Sequence, residues 1–593
     1  MIPAPFCFTE DINVTNHPVI IALSVPVDDR STAPEVSLSV LKTALNDSVL
    51  PLSGVDLVLL PMSVIHANDR QAKEKTELFR SFARLHHAYL VYNQEKDGQC
   101  VSVILDRDGS EAGRYAKTHR IKGLDSIDRM GDELPVFSLD FAKVALAIGT
   151  DIFFPELAEV YSVLGAEILL CSMGSSPLRD DTMWQRLLRA RALEMYLFVA
   201  AATYCSCSPM YMTNNFEFVR SEKAFPGSGH DINVNGLGKH TGRAVIYDLR
   251  GETLACSGRE AGAAAAVLRM EQKRDAVSHF LIPGILKKQN LRGTFDLITH
   301  EYPYVKKEYP VKTARISLVQ LPYKGTIGRW VPDEEDHFDP QLVFDAVSAA
   351  AKGSDLVVLS ELSSPTHLLT HEMELRYQRL AGENHCYLLV NHEIQMDSRR
   401  NYSILYDRDG TEIMRYEKVN GLQYIYEDIE TIGFELPVAE LDFATVGVMI
   451  CADCYSPEIA RLLSLKGADL LLIQTQSWGP DSQSVNEGRY RAWAIENHIM
   501  IAAAGFANSQ VGNRSCVIDT TGETVFASHY DCTGIFTYSL DMEKGLNTKA
   551  FIYEDDSVVC TRDFKELLRH ARRPELYRAL SSEGMKACYN PEK

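Results

Sequence analysis

No apolar run in the chain approaches 18 residues, so no segment reads as a membrane-spanning helix. The opening Met1-Ile-Pro-Ala-Pro-Phe-Cys-Phe-Thr-Glu-Asp-Ile12 lacks the positive stretch of a secretory signal. A basic excess is missing too. Eighty acidic side chains against 60 basic ones leave a net charge of −20, which disfavours a nucleic-acid partner because no cationic surplus exists to neutralise phosphates. The 13 cysteines are odd in number and scattered, with Cys205-Ser-Cys207 and Cys451-Ala-Asp-Cys454 the only close pairs. That pattern implies neither a disulfide framework nor a metal cluster, and a reducing, cytoplasmic setting is expected. The 17 histidines do not cluster, and His371-Glu-Met-Glu-Leu375 departs from HExxH, so no metal is expected. The glycine-rich stretch around Gly236-Leu-Gly-Lys-His240 fails as a phosphate loop. Its first glycine would fall on Asn233, and His240 follows Lys239 where Ser or Thr is needed.

What remains is a globular composition, 46% hydrophobic and 24% charged, over 593 residues, too many for one core. The chain repeats itself. Ile104-Leu-Asp-Arg-Asp-Gly-Ser-Glu-Ala-Gly-Arg-Tyr-Ala-Lys117 returns as Leu405-Tyr-Asp-Arg-Asp-Gly-Thr-Glu-Ile-Met-Arg-Tyr-Glu-Lys418, a shift of 301. Gly131-Asp-Glu-Leu-Pro-Val136 returns at Gly433, Gly165-Ala-Glu167 at Gly467, and Arg191-Ala-Leu-Glu194 at Trp493, each shifted by 302. Matched blocks at a near-constant offset mark a tandem duplication. The boundaries read as a first copy over 1–300, a linker over 301–312, and a second copy over 313–593 ending in a C-terminal arm near Arg572-Arg-Pro-Glu-Leu-Tyr577. The first copy carries about 30 extra residues, within 205–241, which read as a surface insertion.

In the second copy, strands are expected at 314–321, 355–359, 386–390, 403–406, 412–415, 469–474 and 500–504. Helices are expected at 338–351, 366–384, 457–466 and 486–497. Asp407-Arg-Asp-Gly410 is a hairpin turn. The buried run Thr445–Ile450 stops at Cys451, and Pro457 opens the next helix, so Cys451 sits at a strand-to-helix elbow. Helix N–H groups nearby would favour its thiolate. Alternating strands and helices with inserted hairpins indicate an α/β class.

Glu361 after a strand, Lys418 after a hairpin, Cys451 at the elbow, and the blocks Gly467-Ala-Asp469 and Arg491-Ala-Trp-Ala-Ile-Glu-Asn497 stand in one order. By that order the chain resembles the nitrilase superfamily of carbon–nitrogen hydrolases over nearly its whole length, as two copies. The resemblance implies two tandem four-layer α-β-β-α sandwiches and a triad needing no cofactor. Cys451 would attack an amide carbonyl to form a thioester, Glu361 would move the proton, and Lys418 would steady the oxyanion. Glu427 or Glu430 would orient Lys418. In the first copy Met62 stands at the position of Glu361 and Gly149 at that of Cys451, with only Lys117 kept, so that copy is expected to be inactive. An intramolecular pseudo-dimer, with or without further homo-oligomerisation, would explain its retention.

Cys451-Ala-Asp-Cys454 is closer to amidases than to true nitrilases, and Cys454 with Tyr455 disfavours an anionic carbamoyl substrate. Tyr455, Trp478 and His367 are candidate pocket walls for a small-molecule amide. Two alternatives stay open: an N-acyltransferase using the same thioester, and a non-catalytic binding or regulatory protein.

Overall fold

The structure is a computed structural model that describes residues 17–27, 36–46, 54–122, 125, 127–174, 182–206, 232–233, 243–258, 261–272, 293–322, 340–361, 363, 371–395, 399–420, 433–476, 482–507, 514–546, 549–554 and 557–584. The chain forms two compact units. One joins Met1–Ile285 to Lys549–Lys593, and the other is Leu286–Thr548.

The second unit is built on two six-stranded sheets. The first runs Glu412–Glu417, Arg399–Tyr406, Tyr387–Gln395, Leu356–Leu359, Thr313–Gln320, Gly534–Asp541. The other runs Val438–Glu440, Thr445–Ile450, Leu470–Gln474, Met500–Ala504, Cys516–Ile518, Thr524–Ala527. Central strands are parallel and edge strands antiparallel. The parallel strands, covered on both faces, are continuous apolar runs such as Leu356-Val-Val-Leu359. Helices Pro340–Ala351 and His371–Asn384 bury Val343, Phe344, Val347, Tyr377 and Ala381 against one sheet. Pro457–Leu465 and Ser482–Asn497 lie on the other, and the two sheets face each other, which makes the α-β-β-α layering. In the first unit the equivalent sheets are continuous, because Ser24–Val27 pairs with Thr203–Ser206.

The structure explains why the hairpin block is repeated. Arg408 donates to Asp355 and Asp442 (2.8 and 2.9 Å) and to the His385 carbonyl (2.7 Å). Arg107 does the same with Asp56, Asp140 and the His87 carbonyl. The guanidinium fork ties a turn to two neighbouring strand ends in each unit, a task lysine could not perform.

The unit bounds depart from the sequence-based 1–300, 301–312 and 313–593 at two places. Residues expected as linker are docked: Tyr309 is buried in the second unit, its hydroxyl donating to Asp469 (2.6 Å) and accepting from the Thr445 N–H (2.9 Å). The C-terminal arm belongs to the first unit instead of completing the second copy. Its helix Phe564–His570 is capped by Asp563. Beyond it Arg572 donates to Glu156 (3.0 Å) with both side chains buried. Arg573 donates to the carbonyls of Thr118 and Gly131, and Tyr577 hydrogen-bonds His119 Nε2 (2.7 Å). The expected helix from 366 begins at His371; Thr366–Thr370 lie outside the described residues.

Removing one member of a buried ion pair strands the other charge. Arg572→Ala should therefore destabilise the first unit by about 3–5 kcal/mol. Hydrogen exchange should accelerate in Thr118–Glu156 while Thr445–Ile450 keeps its protection.

Candidate active site

Glu361, Lys418 and Cys451 come together in the second unit. Strand Leu356–Leu359 ends at Ser360, whose hydroxyl donates to the Gly505 carbonyl (3.0 Å), and Glu361 follows. Glu361 is 3% exposed and accepts three hydrogen bonds: from Lys418 Nζ (3.1 Å) and Asn401 Nδ2 (2.9 Å) on Oε1, and from the Gln476 N–H (3.1 Å) on Oε2. Lys418, 6% exposed, ends the hairpin strand Glu412–Glu417, and its own N–H donates to the Asn401 carbonyl (2.9 Å).

Cys451 opens a short 3-10 turn, Cys451–Tyr455, between Thr445–Ile450 and Pro457–Leu465. Its φ is +40°, a left-handed conformation that costs a β-carbon-bearing residue energy and is tolerated where the surroundings enforce it. The enforcing group is Asp453, fully buried. Its carboxylate accepts from the N–H groups of Ile450 (2.7 Å) and Asn420 (2.8 Å) and from the Tyr416 hydroxyl (2.6 Å). Burial raises Asp453 to about 6 against those hydrogen bonds and Lys418.

The groups around Cys451 work against the expected thiolate. Burial, followed by the negative charge of Glu361, pushes the Cys451 thiol well above its ordinary value, while Lys418 and the Gln476 N–H pull it down less. The helix itself begins six residues later, at Pro457. A thiol that keeps its proton beside a carboxylate able to receive it is the arrangement in which proton transfer accompanies attack. Cys454 is a different case. Buried, 3.4 Å from the Tyr490 hydroxyl, and pushed up to about 12 by burial, it is a packing residue.

The first unit holds the corresponding positions in another state. Gly149 adopts φ +52°, and a β-carbon built there would lie 2.9 Å from Met62 Sδ. The Met62 side chain thus takes the space of a nucleophile. Lys117, with no carboxylate at position 62, donates to the Ile148 carbonyl and the Thr150 hydroxyl (both 2.7 Å) and to Asp151 (3.4 Å), with Asp125 at 3.5 Å. Asp151 grips this elbow through the N–H groups of Ile148 and His119 and the Tyr115 hydroxyl. Burial alone would raise Asp151, but Lys117 and the hydrogen bonds outweigh it and bring it to about 2.

Of the other candidates, Tyr455 is 38% exposed with Arg489 over its ring (5.0 Å). Glu427, Glu430, Trp478, His367 and most of the 205–241 insertion lie outside the described residues. Sequence reasoning missed Asn401 and the Gln476 N–H. Comparing Asn401 with its repeat partner Cys100 would have flagged the first, since that position changes with Glu361.

Residues 63–274 and 315–549 match the family model of the carbon–nitrogen hydrolases, and the chain belongs to that family. A 2-oxoglutaramate amidase of Bacillus subtilis is 26% identical over 35% of this chain and 72% of its own length. A probable nitrilase of Schizosaccharomyces pombe is 30% identical over 25% of this chain, and a deaminated glutathione amidase of Rattus norvegicus 34% over 17%. The match spans 52% of the S. pombe relative and 35% of the rat one. Among solved structures, an amidase from Nesterenkonia sp. AN1 is 19% identical, covering 44% of this chain and 98% of that one, at a TM-score of 0.32.

The charges around the thiol give a signed prediction. Glu361→Gln should move the pH midpoint of Cys451 alkylation down, and Lys418→Met should move it up. Rates of iodoacetamide labelling across pH measure both.

Proposed function

We propose that this protein hydrolyses the C–N bond of a small-molecule amide, with the second unit as its catalytic centre. The observation that carries this reading is the buried Glu361–Lys418 pair acting on a cysteine held at positive φ. Cys451 attacks the carbonyl carbon as its proton passes to Glu361. Lys418 and a backbone N–H beside Cys451 stabilise the negative oxygen, and their charge counts for more in a dry pocket than in water. Protonated Glu361 gives its proton to the departing nitrogen, the C–N bond breaks, and a thioester remains. Glu361 then takes a proton from the attacking water and passes it to the sulfur as the C–S bond breaks, which releases the acid and restores both the thiol and the carboxylate. No step calls on a metal or cofactor.

The lysine-orienting carboxylate is Glu427 or Glu430; in the first unit a carboxylate of the corresponding segment, Asp125, lies 3.5 Å from Lys117. The first unit is read as non-catalytic, because Met62 and Gly149 offer neither base nor nucleophile and Lys117 is committed to internal bonds. We assign it the role of scaffold. The protein is placed in the cytoplasm on its cysteine usage. The relatives' names point to amides of oxo acids as the first substrates to try.

Ammonia release from a panel of neutral, cationic and anionic primary amides, 2-oxoglutaramate among them, tests the reading beside Cys451→Ala. Release by the wild type that vanishes in the variant is expected, and it would also exclude turnover by the first unit. Release that persists in the variant would refute both assignments. Transfer of the acyl group to an added amine in place of water would favour the acyltransferase alternative.

A further inference from the structure

A polar chain runs through the buried interior behind Glu361. Asn401 donates to Glu361 Oε1 and accepts on its own Oδ1 from Asn391 Nδ2 (2.9 Å). The same Asn391 nitrogen reaches the Ser403 hydroxyl (3.3 Å). Ser403 donates to Gln474 Oε1 (2.5 Å), and Gln474 Nε2 returns to the Leu359 carbonyl (2.7 Å), on the strand that ends just before Glu361. Asn391, Asn401, Ser403 and Gln474 are all buried. A loop of hydrogen bonds that starts and finishes on one short segment fixes both its backbone and its carboxylate.

The first unit shows the same frame without the carboxylate. Strand register equates the positions: Asn93 faces Ser102 as Asn391 faces Ser403, Glu95 faces Cys100 as Glu393 faces Asn401, and Ile148 faces Ser172 as Ile450 faces Gln474. Where Glu361 has become Met62, Asn401 has become Cys100 and Gln474 has become Ser172. Asn93 is retained, but its Oδ1 now accepts from Ser102 (2.8 Å), and its Nδ2 has no partner among the described residues. Ser172 contacts the Leu60 carbonyl directly (2.9 Å), closing the gap that Gln474 spans. Groups that serve the fold alone, Tyr115 and Asp151, persist beside these losses as counterparts of Tyr416 and Asp453. The groups that changed are those linked to the carboxylate. An unpaired buried amide is uncommon in folded proteins, and Asn93 Nδ2 is one among the described residues, at the position where Asn391 has Asn401 as its acceptor.

We propose that Asn401, held by Asn391, is a positioning residue that aims the Glu361 carboxylate at Cys451. This deepens the amidase reading and rests on it. The Asn401 side chain offers its N–H to Glu361 Oε1 and so fixes the direction in which the carboxylate points. Its carbonyl receives the Lys418 N–H, which makes one residue the spacer between base and lysine.

The test compares the wild-type full chain with Asn401→Ala and Asn401→Asp. It measures ammonia release from the best amide of the panel, iodoacetamide labelling of Cys451 across pH, and thermal unfolding. Asn401→Ala is expected to lower kcat by on the order of 10²-fold with KM little changed, and to move the acid limb of the pH profile upward. Asn401→Asp keeps the shape but replaces the donor with an acceptor, and it should do no better. Wild-type activity in Asn401→Asp would overturn the proposal, because shape alone would then suffice. A fall in kcat that tracks lost thermal stability with the pH profile unmoved would overturn it as well. Asn391→Leu should reproduce the defect and Asn93→Leu should not; equal losses from the two would count against the assignment. A wild type that neither releases ammonia nor labels at Cys451 would refute the amidase reading itself, and that is seen before any variant is made.

Discussion

Both elbows hang on a single buried carboxylate. Asp453 and Asp151 each take two backbone N–H groups and a tyrosine hydroxyl, and one of those N–H groups belongs to the residue ending the central strand. That grip turns the chain through a positive φ immediately after the strand, at Cys451 in one unit and Gly149 in the other. The second N–H, from Asn420 or His119, ties in the segment just beyond the lysine. One side chain therefore sets the distance between nucleophile and lysine, and everything else at the site is arranged around that fixed frame. Carboxylates that accept several backbone hydrogen bonds are well suited to this, since each bond is charge-assisted and directional.

The frame is shared, and around it the units differ both in the carboxylate beside the lysine and in His119, which helps to lower Asp151, standing where Asn420 stands beside Asp453. Beside Glu361 the lysine pairs with that carboxylate, and Asp453, where burial outweighs its hydrogen bonds and Lys418, is raised to about 6. Without it the lysine turns to Thr150, the Ile148 carbonyl and Asp151, and Asp151 falls to about 2. A buried ammonium must be compensated somewhere, and removing its best partner redirects it without removing the need. The retained Lys117 is thus a structural residue by force of burial, and its presence alone says nothing about catalysis.

Much of this was legible in the sequence, for physical reasons that particular residues make plain. Apolar runs such as Leu356-Val-Val-Leu359 marked the central strands, and Asp-Arg-Asp-Gly marked a hairpin whose arginine turned out to staple strand ends. The order of Glu361, Lys418 and Cys451 was read from the family resemblance, and Met62 and Gly149 stood out against it as losses in the first copy. Three features were hidden. The protonation state of Cys451 depends on burial and on Glu361, which linear proximity to a helix does not report. Asn401 is an ordinary strand residue until the strands pair. The arm at Phe564–Tyr577 carries no local mark of the unit it will join, because its partners Glu156 and His119 are more than 400 residues away in sequence.

The placement of that arm has a consequence for the order of events during synthesis. Chains leave the ribosome from the N-terminus and fold by domains as they emerge. Here Leu286–Thr548 has all its residues before the arm is made, whereas the first unit must wait for Arg572, Arg573 and Tyr577. The half that is translated first is the half that is finished last. Until the arm arrives, Glu156 and His119 stand without Arg572 and Tyr577, so the nascent chain carries an open N-terminal unit throughout the synthesis of Leu286–Thr548.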